Sequence, residues 1–121
     1  MRVLYVDDDR VNSLLFAEVC RLVSGVTVET AGSAAEALQV VQDDGADLFV
    51  LDLHLPDGDG FSLLPQLRQR AGRRVPAYLC SADDPSTMAE RAEAAGFEAC
   101  WNKPLDVPQV LDALRRHGGA A

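Results

Sequence analysis

No stretch of this chain approaches the roughly 20 consecutive apolar residues that a membrane-spanning helix needs. The opening Met1-Arg2-Val3-Leu4-Tyr5-Val6 runs at once into Asp7-Asp8-Asp9, so neither a secretory leader nor a membrane anchor is expected, and the reading is a cytoplasmic protein. Positive charge is scarce: eleven Lys and Arg face nineteen Asp and Glu, for a formal net charge of −8. A grip on nucleic acid needs a concentrated basic face, so that class is set aside, although an acidic chain can still hold a cation. Cysteine is sparse and unpatterned. Cys20, Cys80 and Cys100 are odd in number and form no CxxC or Cys/His motif, which predicts reduced, partly buried thiols. Internal repeats, low-complexity tracts and linkers are lacking too. What remains is 121 residues, 48% hydrophobic and 25% charged, enough for one self-sufficient core spanning 1–121.

Periodicity divides that domain. Arg2 to Val6 is short and β-rich. Val11, Leu14, Leu15, Val19 and Leu22 recur at helical spacing, closed by Gly25. Val26 to Ala31 reads as a strand, and Ser33-Ala34-Ala35-Glu36 as a capping box that opens a helix carrying Ala37, Leu38 and Val41. Leu48-Phe49-Val50-Leu51 is the continuous apolar run of a strand covered on both faces. Pro56-Asp57-Gly58-Asp59-Gly60 reads as a turn feeding a third helix through Phe61, Leu64 and Leu67. Its glycines and aspartates fail the spacing of a calcium loop, which also ends in a glutamate absent here. Val75 to Cys80 is a fourth strand. Asp84-Pro85 opens a fourth helix that Gly96 stops, Ala99 to Asn102 is a fifth strand, and a last helix starts at Asp106 or Val107 and ends at Gly118-Gly119. Five strands alternating strictly with five helices imply right-handed crossovers, a parallel sheet and helices on both faces. The fold class is α/β, a doubly wound (βα)5 sandwich.

In such a sheet ligands bind beyond the carboxyl ends of the strands. Asp7-Asp8 end the first strand and Asp52 the third, while Ser81 ends the fourth and Lys103 the fifth. Three converging carboxylates repel one another unless a cation joins them, and Mg²⁺ prefers such oxygen ligands. The Ser81 hydroxyl and the Lys103 ammonium complete a pocket shaped for phosphoryl oxygens. Lys103 is the only lysine in the chain, which argues against an incidental surface charge. Asp9 reads as a helix-start residue instead.

Four pieces at four strand ends, Val6-Asp7-Asp8-Asp9, Leu51-Asp52-Leu53-His54-Leu55-Pro56-Asp57-Gly58-Asp59-Gly60, Cys80-Ser81-Ala82 and Asn102-Lys103-Pro104, resemble a two-component response regulator receiver domain along the whole chain. The resemblance implies a flavodoxin-like sheet of strand order 2-1-3-4-5. It implies that Asp52 is the phosphoacceptor, taking a phosphoryl group from the phosphohistidine of a sensor histidine kinase or a histidine phosphotransfer protein. Asp8, Asp52 and the backbone carbonyl of His54 would ligate Mg²⁺, with Asp7 acting on the ion through water. Lys103 and Ser81 would bind phosphoryl oxygens, Ser81 drawing its loop inward, and Lys103-Pro104 would be a cis peptide. Such a domain is a switch rather than a metabolic enzyme. With no effector region expected after its last helix, it would act through a downstream protein or a fused domain. A homodimer through the fourth helix, fifth strand and fifth helix is open to members of the family. The Val11-Asn12 pair resembles receivers of hybrid kinases and phosphorelays.

The chain departs from the family at Cys100, where an aromatic residue is usual, three positions before the lysine; Trp101 is expected in the core instead. His54 and Asp83 read either as exposed loop residues or as neighbours of the phosphoryl group. The first helix carries more apolar residues than one stripe needs: Leu14, Leu15, Phe16, Val19, Cys20, Leu22 and Val23. They either pack on the sheet and last helix or dock a kinase's helical bundle. Three rivals stand beside the switch. One is a receiver-like interaction module that works without phosphorylation, favoured only by Cys100. A Mg²⁺-dependent phosphohydrolase of the haloacid dehalogenase group lacks its DxDx[TV] pattern here, and a flavin carrier lacks its phosphate-cradling loop.

Overall fold

A computed structural model describes residues 1–83 and 85–118 of the chain. Strands β1 (Arg2–Val6), β2 (Thr27–Ala31), β3 (Leu48–Asp52), β4 (Ala77–Ser81) and β5 (Ala99–Asn102) alternate with helices α1 (Arg10–Cys20), α2 (Ala34–Asp44), α3 (Gly60–Ala71), α4 (Pro85–Ala94) and α5 (Val107–Arg116). The strands form one parallel sheet in the order β2-β1-β3-β4-β5, as the family resemblance implied.

Successive side chains of a strand point to opposite faces, and the sequence exploits that period on both sides. Leu4 and Val6, Phe49 and Leu51, and Ala77 and Leu79 pack with Val41, Leu64, Leu67 and Ala92 beneath α2, α3 and α4. Val3 and Tyr5, Leu48 and Val50, and Tyr78 and Cys80 pack with Phe16, Cys20, Val110 and Leu114 beneath α1 and α5. Trp101 lies in this second layer, as expected, its ring stacked on Tyr78 with centroids 4.4 Å apart. Cys100 faces the first layer and is half-buried.

Several boundaries shift for local reasons. β4 starts at Ala77 rather than Val75, because the intervening Pro76 has no N–H to give the ladder and contributes only its carbonyl, to Phe49. β2 starts one residue later than expected, at Thr27. α1 stops at Cys20, well short of Gly25, and the amides of Arg21, Leu22 and Val23 close it with bonds to carbonyls three residues back. Ser33 caps Glu36 as the capping box requires, but the Glu36 carboxylate returns to the Gly32 amide, one residue before the expected one. The turn after β3 contains a two-residue antiparallel ladder, His54–Leu55 against Gly58–Asp59, where the sequence predicts only a turn. Asp59 then caps α3 through the Ser62 amide. The expected cap of α4 at Asp84 and the Gly119 end of the last helix lie outside the described residues.

The surplus of α1 divides between its two readings. Phe16, Cys20 and Val23 are core, and Val19 is half-buried against them. Leu14, Leu15 and Leu22 are 67%, 60% and 66% exposed.

Candidate functional site

Strand ends place every polar group of the site, and backbone bonds fix those ends against one another. The Asp7 amide bonds to Ala31, the Leu53 amide to Cys80, and the Lys103 amide to Ser81. Asp7, Asp52 and Lys103 therefore stop at the same edge of adjoining strands. Among the described residues only three polar or charged side chains are buried, and all three are here: Asp7, Asp52 and Ser81. Burying charge costs several kcal/mol unless it is paired, roughly 2–7 even for a neutral polar group.

Lys103 supplies the pairing. Its Nζ lies 2.9 Å from Asp7 Oδ2 and 3.0 Å from Asp52 Oδ2, and the Lys103-Pro104 peptide is cis, as expected. Tyr5 and Asn12, neither singled out as a site residue from the sequence, also donate to Asp7 Oδ2, at 2.9 Å and 3.2 Å. Asp7 Oδ1 accepts the Asp9 amide at 3.0 Å. Asp9 caps α1 through the Val11 and Asn12 amides, the helix-start role read for it. That cap holds Asn12 at the helix entry, beneath Asp7.

These contacts push the two buried carboxyls apart. Burial raises Asp52, the neighbouring Asp7 charge adds to the rise, and Lys103 offsets it only in part. Burial also pushes Asp7 up, but the Asp9 amide, Lys103 and the Tyr5 hydroxyl outweigh it and hold Asp7 below the usual carboxylate range. For Lys103 desolvation is overcome by Asp7 and Asp52, which raise its affinity for the proton.

Asp7, exposed Asp8 and Asp52 each bring a carboxylate oxygen within 4.8 Å of the others. One ammonium does not balance three carboxylates, and an all-oxygen donor set suits a hard divalent ion. The residues present therefore fit Mg²⁺. A cavity of about 300 Å³ opens over them, lined by Asp8, Asp52, His54, Leu55, Pro56, Ala82 and Lys103. His54 Nε2 and Asp83 Oδ2 meet at 3.3 Å across the adjoining loops, both exposed. Ser81 Oγ is engaged locally, accepting the Asp83 amide at 2.9 Å.

A second unforeseen contact links this region to α2. Asp57, in the turn after Asp52, accepts from the Ala34 and Ala35 amides at 2.8 Å and 3.0 Å, so it caps a helix that is distant in sequence.

Known proteins resemble this chain in sequence and fold. The family model for the response regulator receiver domain matches residues 3–115. The polar-differentiation response regulator DivK of Brucella ovis is 28% identical, over 98% of this chain and 97% of its own. The sensor histidine kinase RcsC of Salmonella typhi is 29% identical over 96% of this chain, which spans only 12% of that much longer protein. The crystal structure of the receiver domain of NtrX from Brucella abortus superposes with a TM-score of 0.83 at 25% identity, covering 95% of this chain and 96% of that one. With the sheet order, the acidic strand ends and the lysine opposite them all in place, the chain belongs to the response regulator receiver domain family, the switch modules of two-component signalling.

Proposed function

We propose that this domain is a phosphoacceptor switch whose acceptor is Asp52. The observation that carries the reading is the Lys103 ammonium held 3.0 Å from Asp52 Oδ2 at the floor of an open, acid-lined cavity. In the transfer, an Asp52 carboxylate oxygen forms a bond to the phosphorus of a phosphohistidine. The P–N bond breaks, its electron pair stays on the imidazole nitrogen, and a ring that carries a proton on its other nitrogen leaves as neutral imidazole. Asp8, Asp52 and the His54 backbone carbonyl would hold Mg²⁺, which when bound offsets the negative charge gathered by the transferring group. Lys103 is placed to move from the carboxylates to a phosphoryl oxygen. Ser81, whose Oγ accepts the Asp83 amide, would donate its O–H to another phosphoryl oxygen, and its loop would follow, changing the surface offered to a partner.

Cys100 leaves no large ring where the family usually carries one, so loop and backbone shifts would carry the signal. Partners of this kind are a sensor histidine kinase or a histidine phosphotransfer protein upstream, and a downstream protein or fused domain as target. The relatives named as sensor histidine kinases support the upstream assignment. No helix among the described residues is long and apolar enough to cross a membrane, which fits a cytoplasmic setting. A homodimer through α4, β5 and α5 is a further option of the same reading.

The test is intact-protein mass after incubation with Mg²⁺ and acetyl phosphate. A single labile phosphoryl adduct, lost in Asp52→Asn and with a chelator, is the expected result. No adduct from acetyl phosphate or from a phosphohistidine protein would leave a receiver-like module that binds partners without phosphorylation.

A further inference from the structure

Asp7 holds more donors than its duties in the resting site require. Its Oδ2 alone accepts from the Tyr5 hydroxyl, the Asn12 amide and the Lys103 ammonium. A carboxylate oxygen offers two lone-pair sites, so one of three donors can leave without stranding it. The three are not equally free to go. The Tyr5 ring is buried and stacked on Phe16, centroids 4.4 Å apart, and its hydroxyl has no other hydrogen-bond partner among the described residues. Asn12 is in the first turn of α1, which the Asp9 carboxylate fixes. Lys103 has a long flexible stem and already divides itself between Asp7 and Asp52.

We infer that Tyr5, seconded by Asn12, is a positioning residue that keeps buried Asp7 satisfied when Lys103 turns to the phosphoryl group on Asp52. The inference rests on the phosphoacceptor reading above. Without the hydroxyl, Asp7 depends on the lysine, and the lysine's departure leaves a buried carboxylate short of donors. That cost falls on the phosphorylated state and spares the resting one. Tyr5 therefore tunes how readily the switch is thrown, through its bond to Asp7 and without contact with Asp8, Asp52 or the incoming group.

The experiment is calorimetric titration with Mg²⁺ alone, then with beryllofluoride, a phosphoryl mimic, at saturating Mg²⁺. For Tyr5→Phe, beryllofluoride affinity should fall about fivefold, the worth of one ordinary hydrogen bond, with Mg²⁺ affinity unchanged. Asn12→Ala should move in the same direction. Phe16→Leu, which removes the ring stack but leaves the hydroxyl, should lower the melting temperature and bind the mimic as tightly as the native chain. Equal beryllofluoride affinity in Tyr5→Phe would overturn the assignment, as would a parallel loss of Mg²⁺ affinity, which marks general damage to the pocket. A native chain that binds Mg²⁺ but never beryllofluoride would instead defeat the phosphoacceptor reading itself.

Discussion

A Cβ built on Gly60 would lie 2.9 Å from the backbone carbonyl oxygen of Asp52 and 2.8 Å from Cδ1 of Leu79. The leucine methyl could yield by changing rotamer. The carbonyl cannot, because Asp52 ends a strand paired with β4, and the Gly60 amide is itself tied to the Leu53 carbonyl at 3.0 Å. The glycine is therefore what lets α3 begin directly against the acceptor residue. Gly60→Ala should destabilise the fold by about 1–3 kcal/mol, the usual cost of overpacking. It should also displace Asp52 and so reduce the yield of the acetyl phosphate adduct at temperatures where the variant is still folded. A urea midpoint and adduct yield both equal to the native values would show that the helix start can slide without cost.

The opposite edge of the sheet gives a pH prediction. Asp47 accepts the Arg2 amide at 2.7 Å through Oδ2 and Arg73 Nη2 at 2.9 Å through Oδ1. The Arg2 amide first, then the Arg73 guanidinium, outweigh the opposing effect of burial and hold its carboxyl below the usual carboxylate range. A depressed folded-state pKa means stability that is fully present above about pH 4, the unfolded value, and is lost as pH falls through the lower folded value. Half-exposed as the pair is, the contribution should stay under about 1 kcal/mol. Asp47→Asn should be less stable than the native chain at pH 7, and the gap should close between about pH 4 and pH 2. Urea midpoints across that window measure it. A gap that persists unchanged at pH 2 would assign the effect to geometry rather than charge.

How much of this was legible in the sequence follows from where each signal arises. Asp7, Asp8, Asp52, Ser81 and Lys103 could be grouped because each stands at or just beyond the carboxyl end of a predicted strand, and a parallel sheet brings such ends to one edge. Trp101 could be sent to the core because, one residue after Cys100, it points to the opposite side of the strand. Tyr5 reads as one more β-rich residue of β1, and only the fold shows its hydroxyl beneath Asp7. Asn12 drew notice for its pairing with Val11, but its contact depends on how α1 leaves its cap. Asp57 caps a helix that ends before β3 begins, a contact no local pattern encodes. The Glu36 shift to Gly32 is of the same kind: the motif was present, and the backbone path decided which amide it met.

The two readings of α1 can be separated by substitution along a single helix. Phe16 is buried against the Tyr5 ring, whereas Leu14 and Leu15, its immediate predecessors in sequence, face solvent. Phe16→Ala should therefore cost about 3–5 kcal/mol. Leu14→Ser and Leu15→Ser should each change stability by no more than about 0.5 kcal/mol. Of the exposed leucines, Leu15 and Leu22 border a groove of about 470 Å³ between α1 and α5 that also includes Val19, Pro104, Leu105 and Val107 and runs up to Lys103, whereas Leu14 lies outside it. An apolar surface that ends at the phosphoryl site serves a protein donor and is irrelevant to a small one. Leu15→Ser should leave acetyl phosphate labelling of Asp52 unchanged and slow transfer from a phosphohistidine protein. Equal slowing with both donors would mean that the substitution disturbs the pocket through α1. Equal, unaltered rates with both would leave these leucines as ordinary exposed side chains, and the donor would have to engage another face.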